Sequence, residues 1–104
     1  MVMPIAQFPF EGPFPTLTKI RNETGVYVVV CEFVDKFYLL DVDHSEDVKN
    51  EIANHKRKKC WENFKKGKIR YAVLYSDNFP NFSDSQIVNN IRSTYKGIPC
   101  GADI

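Results

Sequence analysis

The chain has 104 residues, 43% hydrophobic and 13% aromatic, and a formal net charge of +1. That suits one domain with a modest core and excludes a disordered chain. No apolar run nears the roughly 20 residues a bilayer-spanning helix needs, and the opening Met-Val-Met-Pro-Ile-Ala lacks a basic start, so the expectation is a cytoplasmic protein without membrane contact.

Residues 1–18 interleave Pro4, Pro9, Pro13 and Pro15 with Phe8, Phe10 and Phe14. Proline lacks a backbone donor, so this segment is expected to be extended rather than part of a central strand. Its phenylalanines would pack on a single domain formed by residues 19–104. Residues 26–34 are β-branched and almost continuously apolar, which predicts a strand buried on both faces. A turn at Asp35-Lys36 would lead into a second strand over residues 37–42, closing an antiparallel hairpin. Asp41, Asp43 and His44 then end that strand. They offer metal-type ligands, but a surface turn is the simpler reading.

Ser45 is a plausible N-cap, with Glu46 and Asp47 placed to suit the helix dipole. Val48, Ile52 and His55 share one helical face, so a helix is expected to reach about Lys59. Cys60, Trp61 and Phe64 suggest a second short helix, with Trp61 as a core anchor. Gly67 breaks it, and residues 69–75 alternate as a third strand. A loop at 77–82 precedes a final helix capped by Ser83 or Asp84, with Ile87, Val88, Ile91 and Tyr95 as its apolar stripe and Gly97 as its stop. The order β-β-α-(α)-β-α predicts an α/β fold, a small three-stranded antiparallel sheet flanked by helices.

Three cysteines, Cys31, Cys60 and Cys100, show no paired spacing. That fits a reducing compartment and argues against a disulfide scaffold or zinc site, and Cys60 and Cys100 read as small buried hydrophobes. The charge is sorted along the chain. Between Lys56 and Arg70 there are eight basic residues (Lys56, Arg57, Lys58, Lys59, Lys65, Lys66, Lys68 and Arg70) against one acid, Glu62. Between Glu32 and Glu51 there are seven acids against Lys36 and Lys49. Clustered lysines and arginines can contact phosphates by releasing counterions, or simply form a solvated face.

Gly25-Val26-Tyr27, Tyr38-Leu39-Leu40 and the following helix to His55 resemble the start of a GIY-YIG nuclease domain. The run from His55 to Cys60-Trp61, the Tyr95-to-Pro99-Cys100 end and the lead-in Gly12-Pro13-Phe14-Pro15 are similar to one branch of small bacterial members. The likeness spans roughly residues 18–100. It implies that Tyr27 helps deprotonate a water, that an arginine on the first helix steadies the phosphate, and that a glutamate on the last helix holds a metal ion. This chain departs at specific positions. Glu51 stands where the arginine is expected, Val88 where the glutamate is expected (with Asn89 and Gln86 near it), and Leu40 where a glycine is expected.

Tyr27, Tyr38, Glu51 and His55 are therefore the candidate or relic site. Read without the resemblance, the tyrosines are ordinary strand residues and His55 a helix-end or core histidine. The expected function is a catalytically degenerate GIY-YIG-like module binding DNA, another nucleic acid or a protein surface, with no cofactor. The alternatives are an active Mg²⁺-dependent endonuclease with Glu51 as metal ligand and Lys49 or Arg57 replacing the arginine, and a protein-interaction domain without a nucleic-acid role.

Overall fold

The computed structural model describes residues 2–101. Its strands are β1 (Val2–Ile5), β2 (Phe8–Phe14), β3 (Gly25–Phe33), β4 (Lys36–Ser45) and β5 (Lys68–Tyr75), and its helices α1 (Val48–Ala53), α2 (Lys58–Phe64) and α3 (Asp84–Thr94). The strands form one antiparallel sheet in the order β1-β2-β5-β3-β4. It curls into a half-barrel: Met3, Pro4 and Ile5 at one edge and Phe37 and Leu39 at the other line the same cavity of about 190 Å³.

The predicted three-stranded sheet flanked by helices is thus replaced by a mostly β architecture, and the N-terminal segment is where the expectation failed. Ile5 faces Phe8 across the two-residue turn Ala6-Gln7, and Pro4 faces Pro9 in the next pair. The pair closing a two-residue turn exchanges backbone hydrogen bonds, so the next is a non-hydrogen-bonded pair. The prolines therefore remove no β1–β2 ladder bond. Pro13, cis to Gly12, falls where the β2–β5 register shifts between Glu11 and Phe14. Phe8 and Phe10 point into the core while Pro9 is exposed, giving the period of two that a half-buried strand requires.

β3 lies between β5 and β4, which explains its unbroken apolar run. Val26, Val28 and Val30 enter one core with Phe8, Phe10 and the α3 stripe Ile87, Val88 and Ile91. Tyr27, Val29 and Cys31 enter a second with Val48, Ile52, Trp61 and Tyr75. Gly25 is needed here, since a Cβ would sit 2.5 Å from the Leu74 carbonyl oxygen on β5.

Several boundaries shift. The hairpin turn is Val34-Asp35, one residue earlier than predicted, and both residues have positive φ. That matches a type I′ turn, though a β-branched residue is unfavourable there. β4 continues through Asp41, Asp43 and His44, so these are strand residues, not a surface turn. Asp47, not Ser45, caps α1 by accepting from the Asn50 amide. α1 stops at Ala53 because the Asn54 side chain donates to the Asn50 carbonyl and the chain turns. His55 therefore lies beyond the helix. Ser83 and Gln86 form a reciprocal capping box that starts α3.

The edge of β4 is partly covered. The Cys100 amide donates to the Leu40 carbonyl at 2.8 Å, and Arg92 Nη2 donates to the Val42 carbonyl at 3.2 Å. Such cover reduces the exposed pairing edge. Among the described residues no helix is long and apolar enough to cross a membrane.

Candidate functional site

The polar centre of the molecule is a chain of side chains on the sheet face covered by α1 and α2. Residues opposite each other on antiparallel strands share a face. Tyr27 pairs with Asp43 and Val29 with Asp41, so both carboxylates project to the Tyr27 side. Asp41 is fully buried. Its oxygens accept from Arg57 Nε at 2.8 Å and Nη2 at 3.0 Å, and Oδ2 also accepts from Trp61 Nε1 at 2.8 Å. Arg57 Nη2 donates to Asp43 as well, at 3.2 Å. A buried carboxylate needs this number of donors, and the two-pronged arginine contact is the strong form of such a pair.

His55 occupies the middle of the chain. Its Nδ1 accepts the Arg57 backbone N–H at 3.0 Å, and its Nε2 lies 2.6 Å from the Tyr27 hydroxyl. A neutral imidazole has one donor and one acceptor. Because Nδ1 accepts, Nε2 carries the proton and donates to Tyr27. The Tyr27 hydroxyl then directs its own proton towards Glu51 Oε2, at a long 3.5 Å. The His55 ring also stands 4.7 Å from Trp61.

Burial depresses the His55 pKa below its usual value, and Arg57 lowers it further while Asp41, Glu51 and Asp43 partly oppose this. Protonation would also turn Nδ1–H against the Arg57 N–H. Since the folded-state pKa lies below the unfolded one, the unfolded chain binds the proton more readily. The stability from neutral His55 is complete above about pH 6.5 and is lost as pH falls through the lower folded value, at no more than about 1.4 kcal/mol per pH unit. NMR titration of the His55 ring should give a midpoint below 6.5, with the urea midpoint falling on that acid side. A midpoint above 6.5 would overturn this assignment of protons.

Burial raises the Tyr27 pKa far above that of an ordinary phenol, and Asp43, Glu51 and Asp41 add to the effect. Tyr27 is thus held as a neutral hydroxyl. The residue is fully buried, while Glu51 is exposed.

The structure brings Tyr27, Glu51 and His55 together but leaves Tyr38 apart. Tyr38 pairs with Cys31, four residues along β3 from Tyr27, or about 13 Å at 3.3 Å per residue. It is 43% exposed. Val88 is buried in the other core, on the opposite sheet face from Tyr27. Gln86 is occupied in the α3 cap, and Asn89 is exposed. Arg57, a proposed stand-in for the missing arginine, is engaged by Asp41 and Asp43. Among the described residues no cluster of three or more histidine, cysteine, aspartate or glutamate side chains is suited to a metal ion.

Asp41, Asp43 and Trp61 join through Arg57 in one network that no sequence motif marks. The available signal was the alternation Leu40-Asp41-Val42-Asp43, which continues a strand instead of ending it. The cysteine reading is also corrected. Cys60 and Cys100 form a disulfide across 40 residues, because α2 and the C-terminal segment meet beside β4, and Cys31 alone is a free buried thiol.

The basic stretch divides into two groups. Arg57 is committed to the buried network, Arg70 pairs with Glu32 and Lys65 pairs with Glu62. Lys56, Lys58, Lys59, Lys66 and Lys68 are exposed, with no acidic partner within ion-pair distance among the described residues. Comparison of the chain with protein-family models, curated proteins and solved structures found no match.

Proposed function

We propose that this domain binds nucleic acid through the lysines of α2 and its flanks, and that it does so without cutting the strand. The carrying observation is the exposure of Lys56, Lys58, Lys59, Lys66 and Lys68 without acidic partners among the described residues, while the arginines of the same stretch are spent on internal pairs. Phosphate contacts of this kind give affinity without sequence reading. The resemblance to GIY-YIG domains agrees with a nucleic-acid partner. The neutral, buried Tyr27, the exposed Glu51 and the occupied Arg57 favour a module that holds its ligand over one that hydrolyses it. The Cys60–Cys100 bond favours surroundings oxidising enough to keep it closed over the reducing cytosol that the cysteine spacing first suggested.

Charge reversal tests this reading. A Lys56→Glu/Lys59→Glu/Lys66→Glu variant should lose binding to a fluorescein-labelled oligonucleotide in anisotropy at low salt, while plasmid DNA with Mg²⁺ or Mn²⁺ stays uncut by the wild type. Unchanged binding by the variant, or metal-dependent nicking lost in Tyr27→Phe, would contradict it.

A further inference from the structure

The end of the β3–β4 hairpin has a second property that the lysines alone do not explain. Of the eight large hydrophobic residues exposed among the described residues, Phe33, Val34, Tyr38 and Phe64 lie at this hairpin end or at the end of α2, while Phe37, opposite Glu32, faces the other side of the sheet. Scattered exposed apolar residues are ordinary, but a cluster beside free charge marks an interaction surface.

The loop joining α2 to β5 binds these parts into one surface. The Lys66 amide donates to the Cys31 sulfur at 3.4 Å, and Cys31 is the cross-strand partner of Tyr38. The Lys66 ammonium lies 5.9 Å from the Tyr38 ring centroid. At Gly67 a Cβ would collide with the Glu32 carbonyl and crowd Phe33 Cα, so this loop is pressed onto the hairpin. Phe33, the Cys31–Tyr38 pair and Lys36 share one sheet face, because Phe33 pairs with Lys36 two residues on from Cys31. Phe64 directly precedes the loop and is 55% exposed. The nearby acids Glu32 and Glu62 are neutralised by Arg70 and Lys65, which leaves Asp35 at the turn.

We infer that this surface recognises single-stranded nucleic acid, with Tyr38 and Phe64 as stacking platforms for unpaired bases and Lys66 and Lys36 as contacts to the intervening phosphates. The inference deepens the proposed function and rests on it. Aromatic faces interleaved with lysines match a chain that alternates flat bases with phosphates. In a duplex the base faces are already stacked on one another, and the exposed rings would meet only backbone.

The test compares a labelled single-stranded oligonucleotide with a duplex of the same length at the same salt, using wild type, Tyr38→Ala, Phe64→Ala and Phe64→Leu. Both aromatic positions are exposed, so the variants should fold, which circular dichroism checks. The single strand should bind more tightly than the duplex. Each alanine variant should weaken it roughly 5- to 150-fold, the equivalent of about 1–3 kcal/mol per stacked base. Phe64→Leu should behave like Phe64→Ala, because leucine keeps the apolarity and loses the ring face. Salt-dependent binding with equal affinity for duplex and no effect of the aromatic variants would overturn this inference and leave the proposed function standing. Absence of salt-dependent binding to either nucleic acid would remove both. Tight binding to anionic phospholipid vesicles, preserved in Phe64→Leu, would reassign the surface to a membrane and overturn the inference.

Discussion

Replacing Asp41 with alanine is expected to destabilise the fold by about 3–4 kcal/mol, because removing one partner of a buried ion pair leaves the other charge uncompensated. The carboxylate is fully buried and receives three close donor contacts from Arg57 and Trp61. Without it the Trp61 N–H loses its acceptor, and the Arg57 guanidinium keeps only Asp43. That remaining contact places the expected value at the lower end for a broken buried pair. Displacement of Arg57 would propagate to His55, whose Nδ1 depends on the Arg57 amide, and thence to Tyr27. Urea unfolding of Asp41→Ala measures the loss. A change below about 1 kcal/mol would mean that the network is solvated and contributes little.

Opening the Cys60–Cys100 bond should cost about 3–4 kcal/mol, the chain-entropy value for a loop of this length. The separation is 40 residues. The bond joins α2 to the segment that covers the β4 edge through the Cys100 amide. It also sets the position of Gly101, where a Cβ would strike the Asp41 carboxylate. A Cys60→Ser/Cys100→Ser protein leaves neither partner as an unpaired thiol and should unfold at lower urea than the oxidised wild type, matching wild type under reductant. Its effect should also fall short of additivity with Asp41→Ala, since the two changes touch one cluster. Equal stability of the oxidised and serine proteins would show that the tail is held without the bond.

Legibility of the fold followed the strength of local rules. The central strand β3 was visible because only a strand buried on both faces supports so long a β-branched run. α3 was visible because its apolar stripe and Ser83 cap agree. The N-terminal hairpin was hidden because the rule that proline breaks strands ignores which side of the ladder each amide faces. At Pro4 and Pro9 that detail decides the outcome. Val34-Asp35 is hidden as a turn because a β-branched residue such as Val34 disfavours the positive φ it adopts here. The apolar spacing continues a helical pattern through His55, but an asparagine cap at Asn54 ends α1 at Ala53.

The candidate site was legible for related reasons and to a smaller extent. Tyr27, Glu51 and His55 come together because Tyr27 sits deep on the sheet face that α1 covers. Tyr38 does not join them, since an eleven-residue spacing in sequence becomes a separation along the hairpin once the turn folds the strands back. Asp41 is not legible as a buried carboxylate in the sequence, because its donors Arg57 and Trp61 reach it only through tertiary folding. The disulfide has no local spacing to announce it. Its cysteines are brought together by the packing of α2 and the tail beside β4.

The most direct test of nucleic-acid binding by the lysine face is the salt dependence of binding to a single-stranded oligonucleotide. With about four to five lysines on phosphates, log K should fall against log salt with a slope of about −3, and each lysine replaced by alanine among Lys56, Lys59, Lys66 and Lys68 should reduce that slope by about 0.7. A flat salt profile, or a slope unchanged when these lysines are removed, would contradict the account.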